Sequence, residues 1–458
     1  MAGLRQRQLD AARAIVAHAA ERLEADISVK LWDGSIVPLG PGARSDITLT
    51  VKSPAVIRRL VLSPRLMTVF ELYAVGAIDV EGGTPIEAAR RWDHLKALHL
   101  ARTVDKTFIL KSLWPFLVAG SAERGPEGYR ARVPTRFGKG RDDQELIRFH
   151  YDVSNDFYAL FLDPEMVYSS AYFARPDMSL EEAQLAKLDM ICRRLRLQPG
   201  ERLLDIGCGW GGLVCHAARN YGVTALGVTL SRQQYDYAQA KIRRLGLGDK
   251  VTVELRDYRT VDEPGGFDKI AQIEMFEHVG LDNHDAHFKQ MHRLLRPRGL
   301  YLHQASTRRP TWNPKDFRKP TPYQKVITRF IFPGGELDHI GMTVTNLERH
   351  AFEVHDVEAW REHFQKTLEH WTARLAANRA AAEAEIGAAK TRLWLLYFSL
   401  FALAFERNTT FVFQTLASKR QPGPSGLPFS RADLYRDEIG GKAAEPGAAP
   451  PVRAVETA

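Results

Sequence analysis

At 458 residues the chain is longer than one ordinary domain, so two folded units and a tail are expected. A formal charge of +8 and a pI near 9.3 favour an anionic partner, either nucleic acid or a membrane face, and 45% hydrophobic residues are ample for a core. The cysteines, Cys192, Cys208 and Cys215, have no paired spacing, which excludes a disulfide framework or a zinc site and makes a reducing cytoplasm the expected home.

Residues 1 to about 25 read as an amphipathic helix, and Asp10 with no long apolar core argues against a signal peptide. ISVKLWDGSIVPLG then alternates about an Asp33-Gly34 turn, and DITLTV follows as a further strand. Helical patterns run from Pro54 through Trp92 and from His94 to Leu117. Residues 1–122 therefore form a small α+β unit without a catalytic constellation.

From Arg124 to Arg141, within a linker of residues 123–145, six basic residues stand against one acidic among glycine and proline. The stretch is either a solvated connector or a patch on anionic lipid, at about 1 kcal/mol per well-placed cation. Only Tyr129 and Phe137 are available to stack on bases, which disfavours a nucleic-acid arm. The next segment, HYDVSNDFYALFLDPEMVYSSAYF, His150 to Phe173, is dense in aromatics that suit a core or a site. Ser179 with Glu182 makes a capping box that starts the helix SLEEAQLAKLDMICRRL.

The chain is organised around LLDIGCGWGGL, Leu203 to Leu213. An apolar run, Arg202 to Ile206, reads as a buried strand, followed by a glycine turn and the helical pattern LVCHAARNYG. Glycines at 207, 209 and 211 let backbone N–H groups approach a ligand that side chains would hold off. Asp205 ahead of them, with no Lys-Ser or Lys-Thr behind, argues against a phosphate loop. That pattern suits a cofactor with a cationic amino-acid end and an adenosine, S-adenosylmethionine; an NAD-type turn is the alternative.

TALGVT, VTVELRDY, FDKIAQIEMFEHVG and GLYLHQAS supply further strands, with helices LSRQQYDYAQAKIRRLG and HDAHFKQMHRLL among them. This alternation predicts an α/β fold with a doubly wound parallel sheet and its ligands at the carboxyl ends of the strands. An NAD site wants an acid after the second strand. Thr229, Leu230 and Ser231 stand there instead, which leaves Gln233 or Gln234 to hold a ribose.

Taken in order, HYDVSNDFYALFLDPEMVYSSAYF, LLDIGCGWGG, GVTLSRQQ, EMFEHVG, IFPGGELD and the late Tyr-containing helix resemble the cyclopropane-fatty-acyl-phospholipid synthases and mycolic acid cyclopropane synthases. The resemblance runs from about Phe149 to Lys419, and more loosely over the N-terminal unit, which is similar to the lipid-binding domain of the bacterial phospholipid enzymes. It implies a class I S-adenosylmethionine methyltransferase sheet with helical substrate-pocket inserts over residues 146–420, and a homodimer. It places the cofactor against Tyr168, Ser169, the turn Leu203, Leu204, Asp205, Ile206, Gly207, Cys208, Gly209, Trp210 and Gly211, then Thr229, Leu230, Ser231, Gln233, Gln234, Tyr258 and Arg259. It also implies a bicarbonate held by Glu277, His303, Tyr397 and the backbone at Ser170 and Ala305, with no metal. The family commonly has Cys where this chain has Ser170; serine is tolerated there if only the backbone N–H matters.

The chemistry explains these residue types. An alkene is a poor nucleophile, so a sulfonium methyl must be held in line with it in a dry site. Methyl transfer leaves a carbocation, which the faces of Tyr168, Tyr172, Phe173 and Phe276 are placed to stabilise by about 2 kcal/mol. RFIFPGGELDHIGM suits a lid, and VEAWREHFQKTLEHW with the apolar run Leu393 to Phe405 suits an acyl-chain tunnel, at about 0.8 kcal/mol per buried methylene. That run is too short to span a bilayer, so membrane contact is expected to be peripheral, on the cytoplasmic face. Residues 421–458 read as disordered apart from LPFSRADLYRDE.

The expected activity is methyl transfer to the cis double bond of unsaturated phospholipid acyl chains, ending in a cyclopropane. A methylene branch, turned by a partner reductase into a methyl branch, is the alternative, with the position of the base deciding and Glu274 placed to influence it. A catalytically silent lipid binder is the rival of another class. A nucleic-acid methyltransferase lacks an Asn/Asp-Pro-Pro-Tyr site or a nucleophilic cysteine here.

Overall fold

The computed structural model describes residues 2–23, 25–92, 106–117 and 153–435. The basic stretch Arg124 to Arg141, the start of the aromatic segment at His150, and the tail after Tyr435 lie outside the described residues.

The N-terminal unit is a four-stranded sheet, β1 (Ile27–Lys30), β2 (Ile36–Pro38), β3 (Arg44–Val51) and β4 (Ile78–Glu81), in the order β2-β1-β3-β4. The Asp33-Gly34 turn joins β1 and β2 antiparallel, with Asp33 Oδ1 accepting from the Ser35 N–H at 3.0 Å. The helices Ala2–Leu23, Pro54–Leu62, Leu66–Ala74 and Pro85–Arg90 accompany it. Strand β4 interrupts a segment expected to be helical throughout. The helix stops at Ala74 because Gly76 takes the left-handed conformation, φ +70°, and the Thr84–Glu87 capping box starts the next one.

The second unit is built on seven strands, β5 (Arg202–Ile206), β6 (Thr224–Thr229), β7 (Val251–Leu255), β8 (Phe267–Ile273), β9 (Leu295–Arg308), β10 (Phe352–Ala359) and β11 (Thr410–Lys419). Their order is β10-β11-β9-β8-β5-β6-β7. Strands β5 to β9 are parallel, and Leu203, Leu204 and Ile206 are buried on both faces of the central strand, as such sheets require.

The sheet is not wholly parallel, because β11 runs antiparallel to β9 and β10 antiparallel to β11. The apolar run ahead of β11 masks its alternation. Left-handed Asn408, φ +58°, separates helix from strand there. Residues after 420 also belong to this unit: Leu434 is buried, and Asp433 pairs with Arg196 at 3.1 Å. The folded part therefore extends to Tyr435.

The helix Ala388–Glu406 joins the two units. Its 19 residues extend beyond the apolar run Leu393 to Phe405 and make about 28 Å, enough by length to cross a bilayer. Packing takes it out of that role, since 72% of its most apolar window is buried within the protein. One side meets Leu66–Ala74 and Pro85–Arg90, another the helix Arg361–Ala377. Arg392 reaches across, donating to the Ile78 carbonyl at 2.9 Å, pairing with Asp79 at 3.0 Å and lying over the Tyr73 ring at 4.2 Å. Arg90 answers from the other unit, with Glu406 at 2.7 Å and with Glu369.

Removing one partner of a buried ion pair strands the other, so Arg392→Ala is expected to cost about 3 kcal/mol. A denaturation midpoint unchanged from wild type would show that Arg392 does not hold the units together.

Candidate active site

Beyond the carboxyl end of β5 the turn Gly207–Gly211 opens on a cavity of about 460 Å³. Gly207 and Gly209 sit at φ +77° and +54°, a conformation that other residues reach only at a cost of about 1–2 kcal/mol. A Cβ at Gly207 would also meet Met275 at 3.0 Å.

Of the residues expected to hold the cofactor, Tyr168, Ser169, Asp205, Ile206, Gly207, Cys208, Gly209, Trp210, Thr229, Leu230, Gln234, Tyr258 and Arg259 line this cavity. Leu203 and Leu204 lie below it in β5, and Gly211 precedes the helix Gly212–Tyr221. Ser231 caps the helix Arg232–Leu245, accepting from the Gln234 N–H at 3.4 Å. Gln233 offers its carbonyl to Asn155 at 3.4 Å, outside the cavity lining. Of the two glutamines, Gln234 is the one that lines the cavity. The Thr229 hydroxyl donates to Gln234 Oε1 at 2.7 Å, which leaves the amide N–H groups as donors beside the cavity.

The polar floor contains a residue that the sequence reading missed. Lys187, fully buried, donates to Ser169 Oγ at 2.8 Å; burial pulls its pKa down to about 8, against the pull of Glu274, Asp163 and Asp205. Asp205 is pushed up to about 7 by burial, with Lys187 opposing. The signal was present: Gln184 and Lys187, three apart, fall on the apolar face of their helix with Leu180, Ala183 and Ile191. His287 was missed as well; it lines the cavity between Tyr258 OH and Gln272 Oε1, each at 3.0 Å.

The residues expected to hold bicarbonate are arranged differently. The Ser170 N–H donates to Glu274 Oε1 at 3.0 Å, while its hydroxyl turns to the Ala171 carbonyl at 3.1 Å. Ala305 is a ladder residue of β9 opposite Phe413. Glu277 Oε1 accepts from the Ser306 N–H at 2.6 Å. His303 places Nδ1 on the Tyr301 hydroxyl at 3.1 Å, and burial lowers its pKa to about 3, so the ring is neutral.

Glu277 Oε2 and His303 Nε2 are buried without a hydrogen-bond partner among the described residues, which would suit a ligand. A bicarbonate at the Ser170 N–H, however, would have to displace Glu274 and lie beside two carboxyl groups. For each of them that is ionised, the repulsion at 4 Å is about 4 kcal/mol at an effective dielectric of 20. The residues present do not fit the anion in that place.

The ring of Tyr397 lies against Phe332, Trp394, Phe398 and Phe401 at 5.0–5.9 Å. Of the four aromatics expected to face a carbocation, only Tyr168 lines the cavity. Tyr172 packs on Trp360, Phe173 stacks on His370, and Phe276 meets His303 edge-on. The segment expected as a lid is tied down: the Glu336 N–H donates to the Glu277 carbonyl at 2.9 Å, and Glu336 Oε2 accepts from the Leu281 N–H at 2.9 Å.

A family profile described as mycolic acid cyclopropane synthetase matches residues 139–415. The chain belongs to that family. A "Probable fatty acid methyltransferase" of Pseudomonas putida is 36% identical over 91% of this chain and 98% of its own length. The cyclopropane-fatty-acyl-phospholipid synthase of Escherichia coli K12 is 36% identical over 59% of this chain and 66% of its own. Among solved structures, the cyclopropane synthase MmaA2 from Mycobacterium tuberculosis superposes with a TM-score of 0.58, 33% identity, and coverage of 62% of this chain and 100% of its own. The mycolic acid cyclopropane synthase CmaA1, solved with SAH and CTAB, gives 0.57 and 35%, with the same coverage.

This family member is therefore an S-adenosylmethionine-dependent methyltransferase, and its glycine turn and Gln234 line the cavity at the carboxyl ends of the parallel strands, where such sheets take their ligands. Losing the hydrogen bond that orients Gln234 costs about 1 kcal/mol. Thr229→Val is expected to weaken S-adenosylhomocysteine binding about fivefold and Gln234→Ala tenfold or more, read by calorimetric titration. Equal affinities in all three proteins would remove Gln234 from the site.

Proposed function

We propose that this enzyme methylates the cis double bond of phospholipid-borne acyl chains and closes the product to a cyclopropane. The observation that carries the reading is Tyr168, which lines the cofactor cavity and packs against Tyr158 at 5.4 Å, Trp371 at 5.1 Å and Trp394 at 6.1 Å. One ring therefore separates the polar cavity from a large apolar cluster that includes Phe161, Phe398 and Leu368. An alkene approaching from the apolar side would meet the cofactor beside an aromatic face, away from water. The relative that holds SAH together with the surfactant CTAB supports the same pairing of cofactor and long apolar chain.

The cofactor supplies an electrophilic methyl group; the chain's own residues do the positioning. Gln234, fixed by Thr229, is placed for the ribose, and the left-handed glycines admit close backbone approach. Tyr168 presents its ring to the charge that develops on the acyl chain.

A branched product is the second reading. It is favoured by the relatives called "Probable fatty acid methyltransferase", from Pseudomonas putida and, at 40% identity, from Mycobacterium tuberculosis. In that case a reductase acting on the methylene branch completes the sequence.

The membrane reading is supported by the N-terminal unit. Leu62 is 59% exposed and Trp114 75% exposed, on elements that contact each other. A tryptophan and a leucine bared together suit the interfacial region of a bilayer.

Incubation with S-adenosylmethionine and vesicles of a cis-monounsaturated phospholipid tests the reading. A gain of one methylene with upfield ring protons in the NMR spectrum is expected; vinylidene protons would establish the branched product instead, and no gain would refute both. In a vesicle sedimentation assay, Trp114→Ser is expected to weaken binding severalfold without altering S-adenosylhomocysteine affinity. Undiminished sedimentation would place the membrane contact elsewhere.

A further inference from the structure

Glu274 follows directly on β8 and takes a left-handed backbone, φ +51°, rare for a residue with a side chain. Its N–H donates to the Gln304 carbonyl at 2.8 Å, so the strained residue is pinned to β9. The residue lines the cavity. There Oε1 accepts from the Ser170 N–H at 3.0 Å and from Gln304 Nε2 at 2.5 Å. The Gln304 amide is itself oriented, since its Oε1 accepts from Gln414 Nε2 at 2.7 Å, and both glutamines are fully buried. A buried relay from β11 through β9 thus aims a donor at this one carboxylate oxygen. Both bonds fall on Oε1, so Oε2 keeps its lone pairs for a proton.

We propose that Glu274 is the catalytic base of this enzyme, a built-in carboxylate standing at the Ser170 N–H where the family resemblance places bicarbonate. The inference rests on the methyl-transfer reading above. In the reaction the carbon–sulfur bond of the sulfonium breaks and the methyl carbon bonds to one alkene carbon. This releases S-adenosylhomocysteine and leaves the positive charge on the other alkene carbon. A C–H bond of the transferred methyl then breaks; its electron pair closes the ring and its proton passes to Glu274. The resulting neutral carboxylic acid returns the proton to water when product leaves. No oxidant and no external base is consumed.

The surroundings fit that cycle. A carboxylate beside a sulfonium risks alkylation; two hydrogen bonds on Oε1 reduce its nucleophilicity, and burial keeps the group basic in spite of them. Burial, then the neighbouring Glu277, pushes the Glu274 pKa up to about 7; the bonds from Ser170 and Gln304 and the charge of Lys187 oppose the shift. The conjugate acid is therefore accessible near neutrality.

The test compares the wild type with Glu274→Gln and Glu274→Gly, the latter free to keep the positive φ. In carbon-dioxide-free buffer the wild type is expected to methylate vesicle lipid within twofold of its rate with added bicarbonate. Its turnover should rise with pH through about 7 as Glu274 loses its proton. Glu274→Gln is expected to lose at least a hundredfold in turnover while binding S-adenosylhomocysteine as before, and bicarbonate should not restore it, because the amide still fills the place. Glu274→Gly is expected to lose as much and to regain turnover with bicarbonate. A tenfold fall in wild-type turnover on bicarbonate removal, reversed on its return, would overturn the proposal.

A second measurement does not depend on the lipid substrate. Titration of the S-adenosylhomocysteine-loaded proteins with carbon-13 bicarbonate, read by NMR, is expected to show bound anion in Glu274→Gly alone. Bound bicarbonate in the wild type would overturn the assignment of Glu274 even if vesicles prove not to be the substrate. Absent turnover with the expected binding pattern would overturn the substrate and leave the anion place filled by Glu274.

Discussion

A single buried ammonium ties the site together. Lys187 sits at the meeting point of the helix Leu180–Arg194, the aromatic segment through Ser169, and the carboxyl ends of β5 and β8. Asp163, Asp205 and Glu274 all bear on its charge. Taking these groups from water is costly, and each tolerates burial because the others are present. The strand ends that shape the cofactor cavity are thus held in mutual register by charge as well as by the ladder.

Much of the parallel sheet was legible, because buried parallel strands read as apolar runs and their helices as amphipathic stretches. The Ser179–Glu182 capping box was equally plain, since both bonds of the motif join residues only three positions apart. Strand β11 was not legible: its alternation follows an apolar helix with only a short break at Asn408. Strand β4 was hidden for a similar reason, between glycines inside a helical pattern.

The site divides along the same line. Residues in the glycine turn carry their role locally, so they could be placed from their neighbours in sequence. The environment of Glu274 depends on Ser170, Gln304 and, through the latter, Gln414, positions scattered over the chain and brought together only by β9 and β11. No local pattern announces that a backbone N–H at one end of the unit points at a carboxylate from another. Tyr397 carries no such local signal either: it stands in an apolar helix, and only the family resemblance singles it out.

The helix Ala388–Glu406 has a bearing on how the two units are handled as pieces. Its burial is shared, so neither unit owns it. A fragment beginning near residue 153 would bare Arg392 and the strip that meets Leu66–Ala74 and Pro85–Arg90, leaving a guanidinium without its carbonyl and carboxylate partners on an otherwise greasy face. Such a surface invites self-association. The N-terminal unit therefore acts as an intramolecular cover for the catalytic unit, whatever else it binds.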